Sequence, residues 1–154
     1  MYICNSVQEE VGLRGAEMIV NKIKPNIAIV TDVCHDTTTP MIDKKEQGEF
    51  KCGKGPVVTY APAVHAIIRE LILDTAAANK IDIQRDAASR VTGTDTDAFA
   101  YNGGGVPSAL ISLPLKYMHT TVETVAKSDV EDVIRLIFET LKKITPKMKL
   151  KYLN

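Results

Sequence analysis

The chain has 154 residues, 45% of them hydrophobic, and balances 19 basic against 19 acidic side chains. That is the length of one domain, large enough to bury a core without staples. The even charge argues against nucleic acid or an anionic membrane as partner. No apolar run approaches the ~20 residues of a membrane span, and no basic leader opens the chain. The three cysteines, Cys4, Cys34 and Cys52, are odd in number and never fall in a C-x-x-C spacing. They suggest neither a zinc knuckle nor a disulfide framework, and a soluble, cytoplasmic protein is expected.

In chain order, the apolar run Tyr2–Val7 predicts a strand, and Ala16–Ile23 predicts a helix. Between them stand two adjacent carboxylates, Glu9 and Glu10. Pro25 stops the helix, and Ile27-Ala28-Ile29-Val30 has the continuous apolar character of a strand buried on both faces. Asp32 follows at that strand's C-terminal end. Residues 37–56, rich in Gly and Pro, predict a long loop with a possible short strand near Glu49–Cys52. From Pro62 to about Lys80 the positions Val64, Ile67, Ile68, Leu71 and Ile72 form one helical face, beside which His65 has a structural character. Ile81–Arg85 alternates as a strand with one wet face.

The loop Val91–Asp97 feeds a short helix, Ala98–Tyr101, and Gly103, Gly104 and Gly105 punctuate its end. Their spacing is not that of a phosphate-binding loop. Ser108–Leu113 predicts a third buried strand, with His119 just beyond it. Ser128 and Glu131 have capping-box spacing, followed by the stripe Val130, Val133, Ile134, Ile137, Phe138 and Leu141. Pro146 ends that helix, and Lys147–Asn154 is a basic tail expected in solvent or weakly paired at an edge. Strands alternating with amphipathic helices argue for a layered α/β domain with helices on both sheet faces.

Glu9 and Glu10, Asp32 and His119 each follow a different strand. Ligands of open α/β sheets collect at strand C-terminal ends, so parallel neighbouring strands would bring all four side chains to one crevice. Carboxylates and imidazole without cysteine suit a catalytic zinc, cobalt or manganese site rather than a structural zinc. The alternative, that adjacent glutamates are solvated loop acids, stays open at this point.

Several motifs occur together in order: Gln8-Glu9-Glu10-Val11-Gly12-Leu13-Arg14-Gly15-Ala16, Val30-Thr31-Asp32, Gly53-Lys54-Gly55-Pro56, Gly93-Thr94-Asp95, Ile111-Ser112-Leu113-Pro114 and Tyr117-Met118-His119-Thr120-Thr121-Val122-Glu123. With them the chain closely resembles the catalytic domain of the glutamyl-aminopeptidase family, which includes the tetrahedral aminopeptidases. The resemblance implies a three-layer α/β/α sandwich with a mixed, mostly parallel sheet, and removal of N-terminal residues from peptides. It implies two divalent metal ions, zinc or cobalt with manganese as a further option, and a homo-oligomer. By position, it implies Glu9 as general base, Glu10 as ligand of one metal, Asp32 as ligand of the other, and His119 as the imidazole of the first. Asp95 would shape the floor of the site or anchor a loop. Glu9 and Glu10 make a poor glycosidase pair, because glycosidase carboxyls face each other across the bond about 5–9.5 Å apart.

The resemblance also implies two further metal residues, a histidine in an H-x-D motif and a bridging aspartate, upstream of the residues present. His35 and His65 do not stand in H-x-D contexts. The expectation is therefore that residues 1–145 form the C-terminal part of a catalytic domain and residues 146–154 a basic tail. In this view the chain is an N-terminally truncated aminopeptidase, inactive alone. The competing expectation is a catalytically silent α/β domain serving as a scaffold or partner.

Overall fold

In the computed structural model, which describes residues 1–150, helices alternate with strands along most of the chain. The helices are α1 (Arg14–Ile23), α2 (Lys44–Gln47), α3 (Ala66–Ala78), α4 (Asp95–Tyr101) and α5 (Lys127–Leu141). The strands are β1 (Ala28–His35), β2 (Val57–Tyr60), β3 (Gln84–Ala87), β4 (Ser108–Lys116) and β5 (Thr124–Val125). They form one mixed sheet in the order β1-β4-β2-β3, with β5 added to β4. β1 and β4 run parallel over eight paired residues, and β2 and β3 over four. The antiparallel ladders of β4 with β2 and with β5 are shorter, two residue pairs each.

Period-two alternation along the strands separates two apolar layers. Ala109 and Ile111 of β4 and Val58 of β2 join Ile68, Ile72 and Ala76 of α3 and Val133 and Leu136 of α5 in the larger core cluster. Ala28 of β1 packs instead with Val20 of α1, Val106 and Phe99 of α4. Helices therefore cover both sheet faces, giving the α/β/α sandwich.

Several local expectations are corrected. Tyr2–Val7 is not a strand, and Met1, Tyr2, Ile3 and Val7 are exposed. An apolar run becomes a strand only when a sheet edge offers its hydrogen bonds, and no described strand pairs with this one. β1 extends to His35, so Asp32 lies inside the strand, and it is half-buried rather than covered on both faces. It is an edge strand among the described residues. β2 forms where the sequence pattern predicts no element, and β3 lies three residues later than expected, leaving Ile81 in the core. Residues 49–52 form no strand, and a short helix, α2, precedes them.

The α5 capping box does not form. Ala126 is the N-cap, without a side-chain hydrogen bond, and Ser128 sits within the first turn. The buried face of α5 is Asp129, Val133, Leu136 and Thr140, while Ile134, Phe138 and Leu141 of the expected stripe are exposed.

Side chains staple the long loop between β1 and β2 to the body. Buried Asp36 accepts hydrogen bonds from the Thr38 amide (2.7 Å), the Thr38 hydroxyl (2.5 Å) and the Cys52 amide (2.9 Å). Asp129 of α5, also buried, accepts from the Gly53 (2.7 Å) and Gly55 (3.0 Å) amides. At the other end of the chain, Leu150 packs against the larger core, and its carbonyl lies 2.8 Å from His65 Nε2. The remainder of the basic tail, 151–154, lies outside the described residues.

Candidate active site

The segment carrying Glu9 and Glu10 is held by its own backbone. The Glu9 carbonyl accepts from the Gly12 (3.1 Å) and Leu13 (3.0 Å) amides, and the Gly15 amide donates to the Val7 carbonyl (3.0 Å). Gln8 and Leu13 take left-handed conformations, φ 62° and 57°, a strained geometry of the kind that marks functional turns. Gly15 is buried against Val7, and a Cβ at that position would lie 2.5 Å from the Val7 amide nitrogen. The absence of a side chain there lets the turn close onto α1.

Asp32 follows from strand alternation. It shares a face of β1 with Ala28, the face covered by α1 and α4, and stands opposite Ser112 in the β1–β4 register. Its Oδ1 accepts from the Val33 amide at 2.7 Å. Asp95 opens α4 on the same side, buried to 8% exposure. Its Oδ2 accepts from the Ser6 hydroxyl, and its Oδ1 is buried without a hydrogen-bond partner. Asp95 thus joins α4 to the segment that leads into Glu9.

His119 lies in the loop between β4 and β5, in a left-handed conformation with φ 62°. Its Nε2 is 3.2 Å from Glu10 Oε1, and its amide donates to Glu123 Oε1 at 2.6 Å. Residues 109 apart in sequence meet here, both largely exposed.

The electrostatics tie the remaining groups to this pair. The Glu9 carboxyl is pushed above its ordinary value, first by burial and then by the charges of Asp32, Glu10 and Asp95, with His119 pulling the other way. Asp32 is also raised. Burial is the largest cause, the Val33 amide opposes it, and Asp95 and Glu10 add to it. All four residues singled out in the sequence therefore share one neighbourhood, and Asp95 is a fifth member. Its Gly-Thr-Asp setting marked it, but its electrostatic reach to Glu9 and Asp32 depends on how α4 packs, which no spacing encodes.

Mutually repelling carboxylates, one of them 3.2 Å from an imidazole, and a buried carboxylate oxygen left over are donors of the kind a divalent cation takes. The donors are oxygen and nitrogen. Two of the thiols are held protonated: burial foremost, with nearby acids, pushes Cys34 up to about 12 and Cys52 up to about 11. Among the described residues no three His, Cys, Asp or Glu side chains converge closely enough to hold an ion. The donors present fit part of a metal shell.

Fold and site together define the class. Residues 1–136 match the family described as M42 glutamyl aminopeptidase, and the chain belongs to that family. The lysyl aminopeptidase of Pyrococcus furiosus is 35% identical over 146 residues, which are 95% of this chain and 41% of that protein. Among solved structures, the aminopeptidase APDkam598 from Desulfurococcus kamchatkensis aligns with a TM-score of 0.86 at 30% identity, over 96% of this chain and 43% of that one. The Pyrococcus horikoshii TET1 peptidase, whose structure is described as assembling into a tetrahedron or a large octahedral shell, aligns with a TM-score of 0.68 at 30% identity. That match covers 88% of this chain and 38% of the other. The chain spans about two-fifths of the length of these relatives.

Proposed function

We propose that this chain forms part of a metal-dependent aminopeptidase that removes N-terminal residues from peptides. The observation supporting the reading is the 3.2 Å His119–Glu10 contact between segments 109 residues apart, with Glu9 and Asp32 within electrostatic reach of Glu10. Glu10 and His119 would hold one ion and Asp32 would contribute to a second, while further donors complete each shell. The donor types suit zinc or cobalt, and manganese as well. Divalent ions in such a site lower the pKa of water and polarise a carbonyl.

The protein's own part is proton handling and orientation. Glu9 is the general base, taking a proton from the attacking water and returning it to the leaving amine. Burial and the neighbouring carboxylates raise its pKa, which makes the carboxylate a stronger base toward water than an ordinary one. Asp95 fixes the approach to Glu9 through Ser6. In this reading residues 1–145 are the C-terminal part of the catalytic domain and 146–154 a tail. Assembly into a homo-oligomer is supported by the related shell-forming peptidase and by the exposed Ile134, Phe138 and Leu141 on α5. A cytoplasmic setting is supported by the free Cys4, Cys34 and Cys52.

The test combines zinc or cobalt titration with hydrolysis of aminoacyl anilides. In a full-length version, Glu9→Gln should lower hydrolysis by about 10²–10⁴-fold with metal content near normal, and His119→Ala should lower metal content itself. Metal loss in Glu9→Gln would mean that the roles of Glu9 and Glu10 are exchanged. A protein that binds neither metal nor substrate would instead be a silent α/β domain.

A further inference from the structure

We infer that Glu123 is a positioning residue: its carboxylate holds the backbone of His119 in the left-handed conformation that turns the imidazole toward Glu10. The consequence for metal binding rests on the function proposed above, whereas the positioning itself does not.

The β4–β5 loop is short and closed at both ends, since Lys116 pairs with Thr124 and Leu115 with Val125. Two residues with side chains, Tyr117 (φ 58°) and His119 (φ 62°), adopt left-handed geometry within it. L-residues populate that region sparsely, so surrounding bonds must hold them there. The Thr120 amide (3.2 Å) and hydroxyl (2.6 Å) both donate to the Tyr117 carbonyl, and the Val122 amide donates to the Thr120 hydroxyl (3.3 Å). The His119 amide turns to Glu123 Oε1, at 2.6 Å. A carboxylate acceptor makes such a bond short and strong. Glu123 directly precedes β5, so its own backbone is anchored by the strand that closes the loop. It belongs to the Tyr117–Glu123 motif yet is none of the groups assigned to proton transfer or metal binding. Its side chain is exposed, so removing it opens no cavity.

The experiment uses the full chain without metal. A positive φ at His119 gives a strong intraresidue NOE between its amide and Hα protons, and the hydrogen bond slows amide exchange. Glu123→Ala should weaken that NOE and speed His119 exchange by about tenfold or more, with thermal unfolding unchanged. Glu123→Gln keeps an acceptor oxygen and should restore most of both signals. With cobalt(II) alone as probe, Glu123→Ala should weaken binding by about 10–100-fold, the usual effect of removing a group that orients a ligand. An unchanged NOE and exchange rate in Glu123→Ala would overturn the inference. So would a folded Glu123→Gln behaving just like Glu123→Ala. If the NMR signals move as expected while a full-length version binds no cobalt, the positioning role stands and the proposed metal function falls.

Discussion

Asp32 stands at a point where its surroundings disfavour charge. Burial, then Asp95 and Glu10, raise its pKa in the folded chain. For an acid this means that the native state binds the proton more tightly than the unfolded state. Stability therefore rises as pH falls through the folded pKa and is lower above it. Asp32→Asn should raise the melting temperature of the metal-free chain at neutral pH, by about 2–4 °C per kcal/mol of repulsion removed, measured by calorimetry. A lower melting temperature would show that the charge on Asp32 is net stabilising. Asp32 was legible in the sequence because a carboxylate ending an apolar run invites attention. The pressure on it was not, because Asp95 reaches it through the packing of α4.

At the scale of elements, what could be read depended on whether a pattern carried its own partner. β1 and β4 announced themselves as apolar runs, and α3 and α5 as stripes at helical spacing. Tyr2–Val7 had the same apolar signal but finds no paired edge among the described residues. β2 was hidden because Pro56 and Pro62 bracket a run of only a few β-formers. The capping box fails because the helix starts at Lys127, with Ala126 as N-cap, which places Ser128 in the first turn beside Asp129, itself engaged with the Gly53 and Gly55 amides. The turn between Val7 and α1 offers a direct test. Gly15→Ala forces a methyl into the Val7 backbone and should cost about 1–3 kcal/mol, as overpacking does. It should also displace Glu9 and Glu10. Urea unfolding measures the first effect, and a loss near zero would mean that the turn yields freely.

For the whole molecule, the long loop between β1 and β2 is bound to the fold by acids. Burial alone would raise the Asp36 pKa, but the hydrogen bonds from Cys52 and Thr38 outweigh it and hold the carboxyl at about 2, below the usual 3.8. The sign is that of a depressed acid: its contribution is present above the unfolded value and is lost as pH falls toward the folded one. Unfolding followed by urea between pH about 4 and about 2 should show stability declining, and Asp36→Asn should remove much of that slope while lowering stability at neutral pH. An unaltered slope would assign the acid sensitivity elsewhere. The layered architecture was legible from alternation alone, whereas these staples join residues far apart and leave no periodic trace.

β4 is the strand on which the sheet depends, pairing with β1, β2 and β5. Every β1–β4 pair spans eighty residues, with Ala28 opposite Ser108 and His35 opposite Leu115. Such long-range pairing makes folding slow, because the loop must close before the ladder can form. On a ribosome adding about 5–20 residues per second, β1 waits roughly 4–16 s for its partner to be made. Throughout that interval an eight-residue strand, carrying the aspartate of the candidate site, lacks the one partner strand it has among the described residues. Synthesis thus holds back both the sheet and the site until β4 has emerged.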